Sequence, residues 1–93
     1  MNQQLPLGGK AALVTGGSRS IGAAIARRLA RDGAAVAITY SASPDKAQAV
    51  IDEIKATGGR AVAILADAGN PEAVRASVQQ AAAEFGGLDI LVN

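Results

Sequence analysis

Cysteine, histidine and tryptophan are absent from the 93 residues, and phenylalanine and tyrosine occur once each. Without cysteine there is no disulfide framework and no thiolate metal site. Without histidine the commonest metal ligand and general base is missing, so zinc chemistry and a Ser-His-Asp triad are excluded from this chain. One Phe and one Tyr are too few for base stacking along single-stranded nucleic acid. Charge is sparse and balanced, with 18% charged residues, a net charge of +1 and no basic run longer than Arg27-Arg28. That leaves no electrostatic footprint for DNA, RNA or an anionic membrane, and the expected ligand is small. No stretch approaches the roughly 20 apolar residues of a membrane span, and Met1 to Leu7 has neither the basic start nor the apolar core of a signal peptide. A cytoplasmic location is expected.

What the chain does contain is apolar and mostly small: 49% hydrophobic residues, chiefly Ala, Val, Ile and Leu. Such a composition suits helices packed closely on a β-branched sheet, and the length suits a single small domain. Residues 1 to 8 read as a flexible arm and 9 to 93 as the domain. Within it, four apolar runs predict strands: Ala11 to Val14, Ala35 to Ile38, Ala61 to Leu65, and Leu88 to Val92. Helical periodicity fills the intervals. Ile21, Ile25 and Leu29 predict one buried face, opposite a solvated face of Arg27, Arg28 and Arg31. Ser43 as N-cap and Pro44 at the first helical position open the second helix, with Ala47, Val50 or Ile51, and Ile54 inward. Asn70 and Pro71 open the third, with Val74, Val78, Ala82 and Phe85 inward, and Gly86-Gly87 stops it. Strands separated by helices are parallel with right-handed crossovers, so the fold class is α/β, a doubly wound parallel sheet of the Rossmann dinucleotide-binding type, for which the expected strand order is 3-2-1-4. In that order the first two helices cover one face and the third crosses to the other.

The chemical signal is Thr15-Gly16-Gly17-Ser18-Arg19-Ser20-Ile21-Gly22, placed where the first strand turns into the first helix. A tight turn there exposes the free backbone N–H groups of a helix N-terminus, where the dipole also favours negative charge, and a pyrophosphate fits. Gly17 and Gly22 have P-loop spacing, but Ala23 and Ala24 stand where a P-loop needs Lys and Ser/Thr, so that reading fails. Glycines at 16, 17 and 22 do not match Gly-x-Gly-x-x-Gly either.

The turn does resemble the Thr-Gly-x-x-x-Gly-x-Gly motif of the short-chain dehydrogenase/reductase family, and the resemblance runs from about Gly9 to Asn93. Asp67-Ala68 after the third strand is similar to the family's acidic adenine contact. Leu88-Asp89-Ile90-Leu91-Val92-Asn93 is similar to its fourth strand entering an Asn-Asn-Ala-Gly motif, of which the first Asn is present. Among family branches the chain most resembles 3-oxoacyl-carrier-protein reductases. Ser20 departs from the pattern by replacing the middle glycine. It fits the loop if its φ is negative and its hydroxyl faces phosphate, whereas a left-handed conformation costs about 1 kcal/mol.

The resemblance implies an oxidoreductase that transfers hydride between a nicotinamide and a carbonyl or alcohol substrate through a Ser and a Tyr-x-x-x-Lys pair. No catalytic residue is expected in this chain: the one tyrosine, Tyr40, has Pro44 four places on. The chain reads as the nucleotide-binding front part of such an enzyme, truncated after the fourth strand, inactive alone and expected to belong to a longer protein or a homo-oligomer. The cofactor-binding candidates are Gly16, Ser18, Arg19, Ser20, Ile21, Gly22, Tyr40, Ser41, Asp67, Ala68 and Asn93, with no metal ligands. The second strand ends Ile38-Thr39-Tyr40-Ser41 without the acid that takes an NAD ribose 2′-OH, and Arg19 and Ser41 can reach the same space, which favours NADP(H) over NAD(H). Asp45 is the objection, though an acid just after Pro44 also serves the helix dipole. Asp67 reads either as a loop cap or, through the resemblance, as a cofactor contact. Asp89 reads as the partner of a surface cation. Two other classes stay open, a non-catalytic nucleotide-binding or sensor module and a methyltransferase, the second disfavoured by the missing acid at Tyr40-Ser41.

Overall fold

The computed structural model describes residues 5–18 and 20–93; the first four residues of the expected arm, and Arg19, lie outside the described residues. Four strands and three helices alternate: β1 (Ala11–Val14), α1 (Ser20–Arg31), β2 (Ala35–Tyr40), α2 (Pro44–Ala56), β3 (Ala61–Leu65), α3 (Pro71–Phe85) and β4 (Ile90–Val92). All pairings are parallel, as the crossover argument requires, and the strand order is β3-β2-β1-β4, the order expected of the dinucleotide-binding fold. β2 runs two residues further than its apolar core, because Thr39 and Tyr40 still pair with Ile64 and Leu65.

The alternation of side chains along the strands divides the core in two. Val14, Val36 and Ile38 face α1 and α2, where they meet Ala23, Ala26, Ala47, Val50, Ile51 and Ile54. Leu13, Ala37 and Ile64 face α3 and meet Ala81, with Val78 and Phe85 packed at the margin. The chain therefore crosses the sheet after β3, and the second face carries one helix against two on the first.

Two helix faces differ from the periodicity. In α1 the buried residues are Ala23 and Ala26, Ile25 and Leu29 are half-buried, and Ile21 is 76% exposed. The first turn of α1 stands beyond the strand ends, where there is no sheet for Ile21 to cover, and further along Ala23 and Ala26 sit innermost with Ile25 and Leu29 packed at the margin of the same cluster. In α3 the buried line is Ser77 and Ala81 with Ala73, Val78 and Phe85 beside it, while Val74 and Ala82 are half-buried at its edge. The Ser77 hydroxyl donates to the Val74 carbonyl at 2.6 Å, which makes a polar side chain acceptable inward.

The helix ends follow their capping chemistry unevenly. Asn70 accepts from the backbone N–H groups of Glu72 and Ala73, and Gly86 closes α3 in the left-handed conformation. Ser43 precedes α2 as expected but makes no side-chain cap bond, and Pro44 starts the helix without one. Upstream of β1, the Leu7 N–H donates to the Asp32 carbonyl at 2.7 Å and Leu7 packs on the first core cluster. Gly33, at φ +106°, lies where an added Cβ would meet Leu5 Cβ and Gly8 N at 2.9 Å each.

Candidate functional site

The register sets the carboxyl ends of three strands level: Val14 pairs with Ile38 on one side and Val92 on the other. The next residues, Thr15, Thr39 and Asn93, therefore meet at the root of the glycine turn. The Thr15 N–H donates to the Val92 carbonyl at 2.9 Å, and its hydroxyl lies 3.2 Å from both that carbonyl and Asn93 Oδ1. The Gly16 N–H donates to Thr39 Oγ1 at 2.9 Å. Asn93 is thus tied to the turn by its side chain.

Each glycine has its own reason. Gly16 has φ +68° with open space around it, so its requirement is conformational. Gly17 is buried, and a Cβ there would lie 2.6 Å from Ile38 Cγ2. A Cβ on Gly22 would fall on the Gly16 carbonyl oxygen and 3.1 Å from Gly17 Cα, so the first turn of α1 rests on the backbone of the glycine turn. A cradle so tight leaves the N–H groups of the first helical turn facing outward with no helical partner. Moreover α1 has no acid in its first turn, whereas α2 has Asp45 and α3 has Glu72. Its positive end is the one not offset by its own carboxylate.

Ser20 takes φ +49°, so of the two conformations open to it the turn adopts the left-handed, costly one. It begins α1 at the one point where the backbone must reverse into the helix, which is the geometric reason the position suits glycine. Ser20→Gly is expected to raise stability by about 1 kcal/mol and to change nucleotide affinity only modestly. An unchanged or lower thermal midpoint for this variant would show that the position carries no strain.

Of the other candidates, Ser18 is buried within the turn, Ile21 projects from the helix start, Tyr40 is half-buried at the end of β2, and Ser41 is exposed just beyond it. Asp67 and Ala68 are exposed after β3. Asp67 Oδ1 accepts from Gly69 N–H at 2.9 Å and its carbonyl from Asn70 N–H at 3.0 Å, so it shapes the loop, and its second oxygen has no protein partner among the described residues. Asp89 pairs with no cation among the described residues: Oδ2 accepts from Ala11 N–H at 2.9 Å, closing the start of β1 against the approach to β4. The helical arginines are less solitary than a solvated face suggests. Arg27 makes a two-pronged pair with Glu53 of α2, and Arg28 pairs with Asp32 at 3.2 Å, both at the surface, where such pairs contribute little.

Neither Thr39 nor Gly17 is among the cofactor-binding candidates that the sequence offers, although Gly17 belongs to the glycine turn. A threonine in a strand looks like any β-branched residue, and the second of two glycines looks redundant until Ile38 is seen above it.

A cavity of about 450 Å³ opens at the opposite, amino end of the strands, walled by Lys10, Arg31, Thr57, Arg60 and Phe85 among others. It lies at the C-terminal ends of α1 and α2, whose negative ends the cations Arg31 and Lys55 stabilise, and the Arg60 guanidinium rests 5.2 Å from the Phe85 ring. In wound α/β sheets ligands enter at the carboxyl ends of the strands, so the glycine turn and not this cavity is the candidate site. Among the described residues no group of three acids could hold a metal, and no helix is long and apolar enough to cross a membrane.

The family model for short chain dehydrogenases matches residues 10–93. The chain is 48% identical over 84 residues to a 3-oxoacyl-[acyl-carrier-protein] reductase of Staphylococcus aureus, covering 90% of this chain and 34% of that protein. A short chain dehydrogenase from Burkholderia cenocepacia, solved in complex with NADP, is 66% identical with a TM-score of 0.91, over 94% of this chain and 36% of that one. A blue fluorescent protein from a metagenomic library, solved in complex with NADPH, is 53% identical with a TM-score of 0.88, over 91% of this chain and 35% of that one. The chain belongs to the short-chain dehydrogenase family of oxidoreductases. It spans about a third of the length of the curated relatives it matches.

Proposed function

We propose that residues 9–93 hold the adenosine and pyrophosphate half of NADP(H), as the front part of an enzyme that reduces a carbonyl or oxidises an alcohol. The observation that carries this reading is the glycine turn at the N-terminus of α1, with Gly22 set on the Gly16 carbonyl and no acid in the first helical turn. Such a cradle is shaped for a phosphate by backbone alone, and NADP and NADPH are bound by two similar proteins of known structure.

In this reading the N–H groups at Ile21 and Gly22 and the hydroxyls of Ser18 and Ser20 hold the pyrophosphate. Arg19 and Ser41 take the 2′-phosphate, Tyr40 borders the ribose, Asp67 and Ala68 border the adenine, and Asn93 carries the site toward the nicotinamide. The bound nicotinamide supplies or accepts the hydride. This chain's residues orient the dinucleotide, and the proton-transfer groups belong to sequence outside these 93 residues. The same reading places the protein in the cytoplasm as a homo-oligomer acting on a small carbonyl or alcohol.

NADPH is therefore expected to bind more tightly than NADH to the protein expressed from its full natural reading frame. Arg19→Ala is expected to narrow the gap by about tenfold or more and Ser41→Ala by about fivefold, as loss of charged and neutral hydrogen bonds would. Equal affinities for the two nucleotides in calorimetric titration of the parent protein would overturn the roles of Arg19 and Ser41.

A further inference from the structure

We propose that Thr39 is a positioning residue for the nucleotide: its buried hydroxyl ties the glycine turn to β2 and so sets the spacing between the pyrophosphate subsite and the ribose 2′-phosphate subsite at Tyr40 and Ser41. The inference rests on the nucleotide-binding reading above.

Thr39 is 1% exposed and lies in register with Ile64, in a stretch of sheet whose other inward residues are apolar. Packing alone would be served by valine, which has the same branched shape, and a buried hydroxyl is costly unless it is bonded. Its partner is the Gly16 N–H, at 2.9 Å. Gly16 has left the strand geometry at φ +68°, so its N–H points away from a ladder acceptor and Thr39 supplies one. On the other side of β1, the Thr15 N–H is held by the Val92 carbonyl. The root of the turn is thus clamped between two neighbouring strands, by main chain from β4 and by one side chain from β2.

That side chain stands on the same strand as the ribose subsite. Ser41 follows Thr39 by two residues, a separation of about 7 Å in extended chain. The two halves of the dinucleotide would then be received by elements joined through one hydrogen bond and one strand residue. Loss of the bond would let the turn shift relative to Ser41 without removing any group that touches the nucleotide. Because the pyrophosphate is common to both cofactors, the loss would weaken NADPH and NADH both. NADPH would lose more, since the shifted turn also leaves the 2′-phosphate contacts at Arg19 and Ser41 out of step, whereas Ser41→Ala would weaken NADPH and leave NADH as it was.

The test is calorimetric titration of NADPH and NADH into the protein from its full natural reading frame and into Thr39→Val, Thr39→Ser and Ser41→Ala, with thermal midpoints recorded for each. Thr39→Val is expected to weaken NADPH about five- to thirtyfold, as loss of one hydrogen bond would, and NADH by a smaller factor, and Thr39→Ser to restore most of both affinities. Unchanged affinity in a folded Thr39→Val protein, even with a lowered midpoint, would reduce Thr39 to a structural residue and overturn the proposal. If the valine variant does not fold, Thr39→Ala takes its place against Thr39→Ser, and equal affinity in that pair overturns it likewise. A parent protein that binds neither nucleotide would overturn the underlying reading itself, a result distinguishable from failure at Thr39 alone.

Discussion

Gly22→Val is expected to abolish nucleotide binding while costing the fold about 1–3 kcal/mol, the ordinary range for overpacking. An added Cβ here would fall on the Gly16 carbonyl and press on Gly17 Cα. These are backbone atoms, so no rotamer change can relieve the contact. Either α1 withdraws from the turn or the turn rotates away from α1, and both move the N–H groups that would face the phosphates. A shift of Gly17 offers little relief, because Gly17 is buried with Ile38 close on its Cβ side. Titration with NADPH and a chemical denaturation curve separate the two effects. A folded Gly22→Val protein that binds NADPH as the parent does would show that the pyrophosphate is not received at this turn.

The second large effect concerns these 93 residues produced as an isolated polypeptide, which are expected to reduce no carbonyl substrate with NADPH and to self-associate. The silence follows from composition: there is no histidine, and the one tyrosine has no lysine four places on. The association follows from the sheet. β4 pairs with β1 alone among the described residues, Ile90 and Val92 are half-buried and Leu91 is 48% exposed. The face that carries only α3 leaves the neighbourhood of β4 thinly covered, and an apolar, unpaired parallel edge recruits other chains. A domain of this size is marginal even when its faces are covered. A monodisperse monomer with a cooperative melt, measured by sedimentation and calorimetry, would refute the association, and measurable NADPH-dependent turnover would refute the silence.

The order of elements was legible because glycine and proline punctuate it. Gly33, Gly58-Gly59 and Gly86-Gly87 stop helices, Pro44 and Pro71 start them, and the apolar runs between can only be strands. Parallel pairing followed from the connectivity, while strand order and the crossing of α3 to the second face followed from the dinucleotide-binding type of fold, whose glycine turn was legible after the first strand. Helix faces were less legible. Periodicity marks which residues share a side but not how near the helix comes to the sheet: Ile25 and Leu29 do pack on the core, but Ala23 and Ala26 are the innermost residues and Ile21 stands clear of it. The glycine turn was legible as a turn, and Ser20 as its anomaly, but the sign of its φ is a property of the backbone path and of no residue pattern. Asp89 was misread because an acid suggests a cation, while the acceptor it offers is used by the first N–H of β1.

The contact between α1 and the sheet has a consequence for how such a protein can drift over generations. Ala23 and Ala26 sit flush against the strands, and one turn earlier the same helix presents its N-terminus and rests Gly22 on the glycine turn. A heavier residue at either alanine would tilt the helix as a lever and displace the turn at its far end. Core repair and ligand grip are thus inherited as one trait in α1, and a lineage cannot explore one without exposing the other. α3, which touches neither β2's end nor the turn by such a lever, is where neutral variation can accumulate.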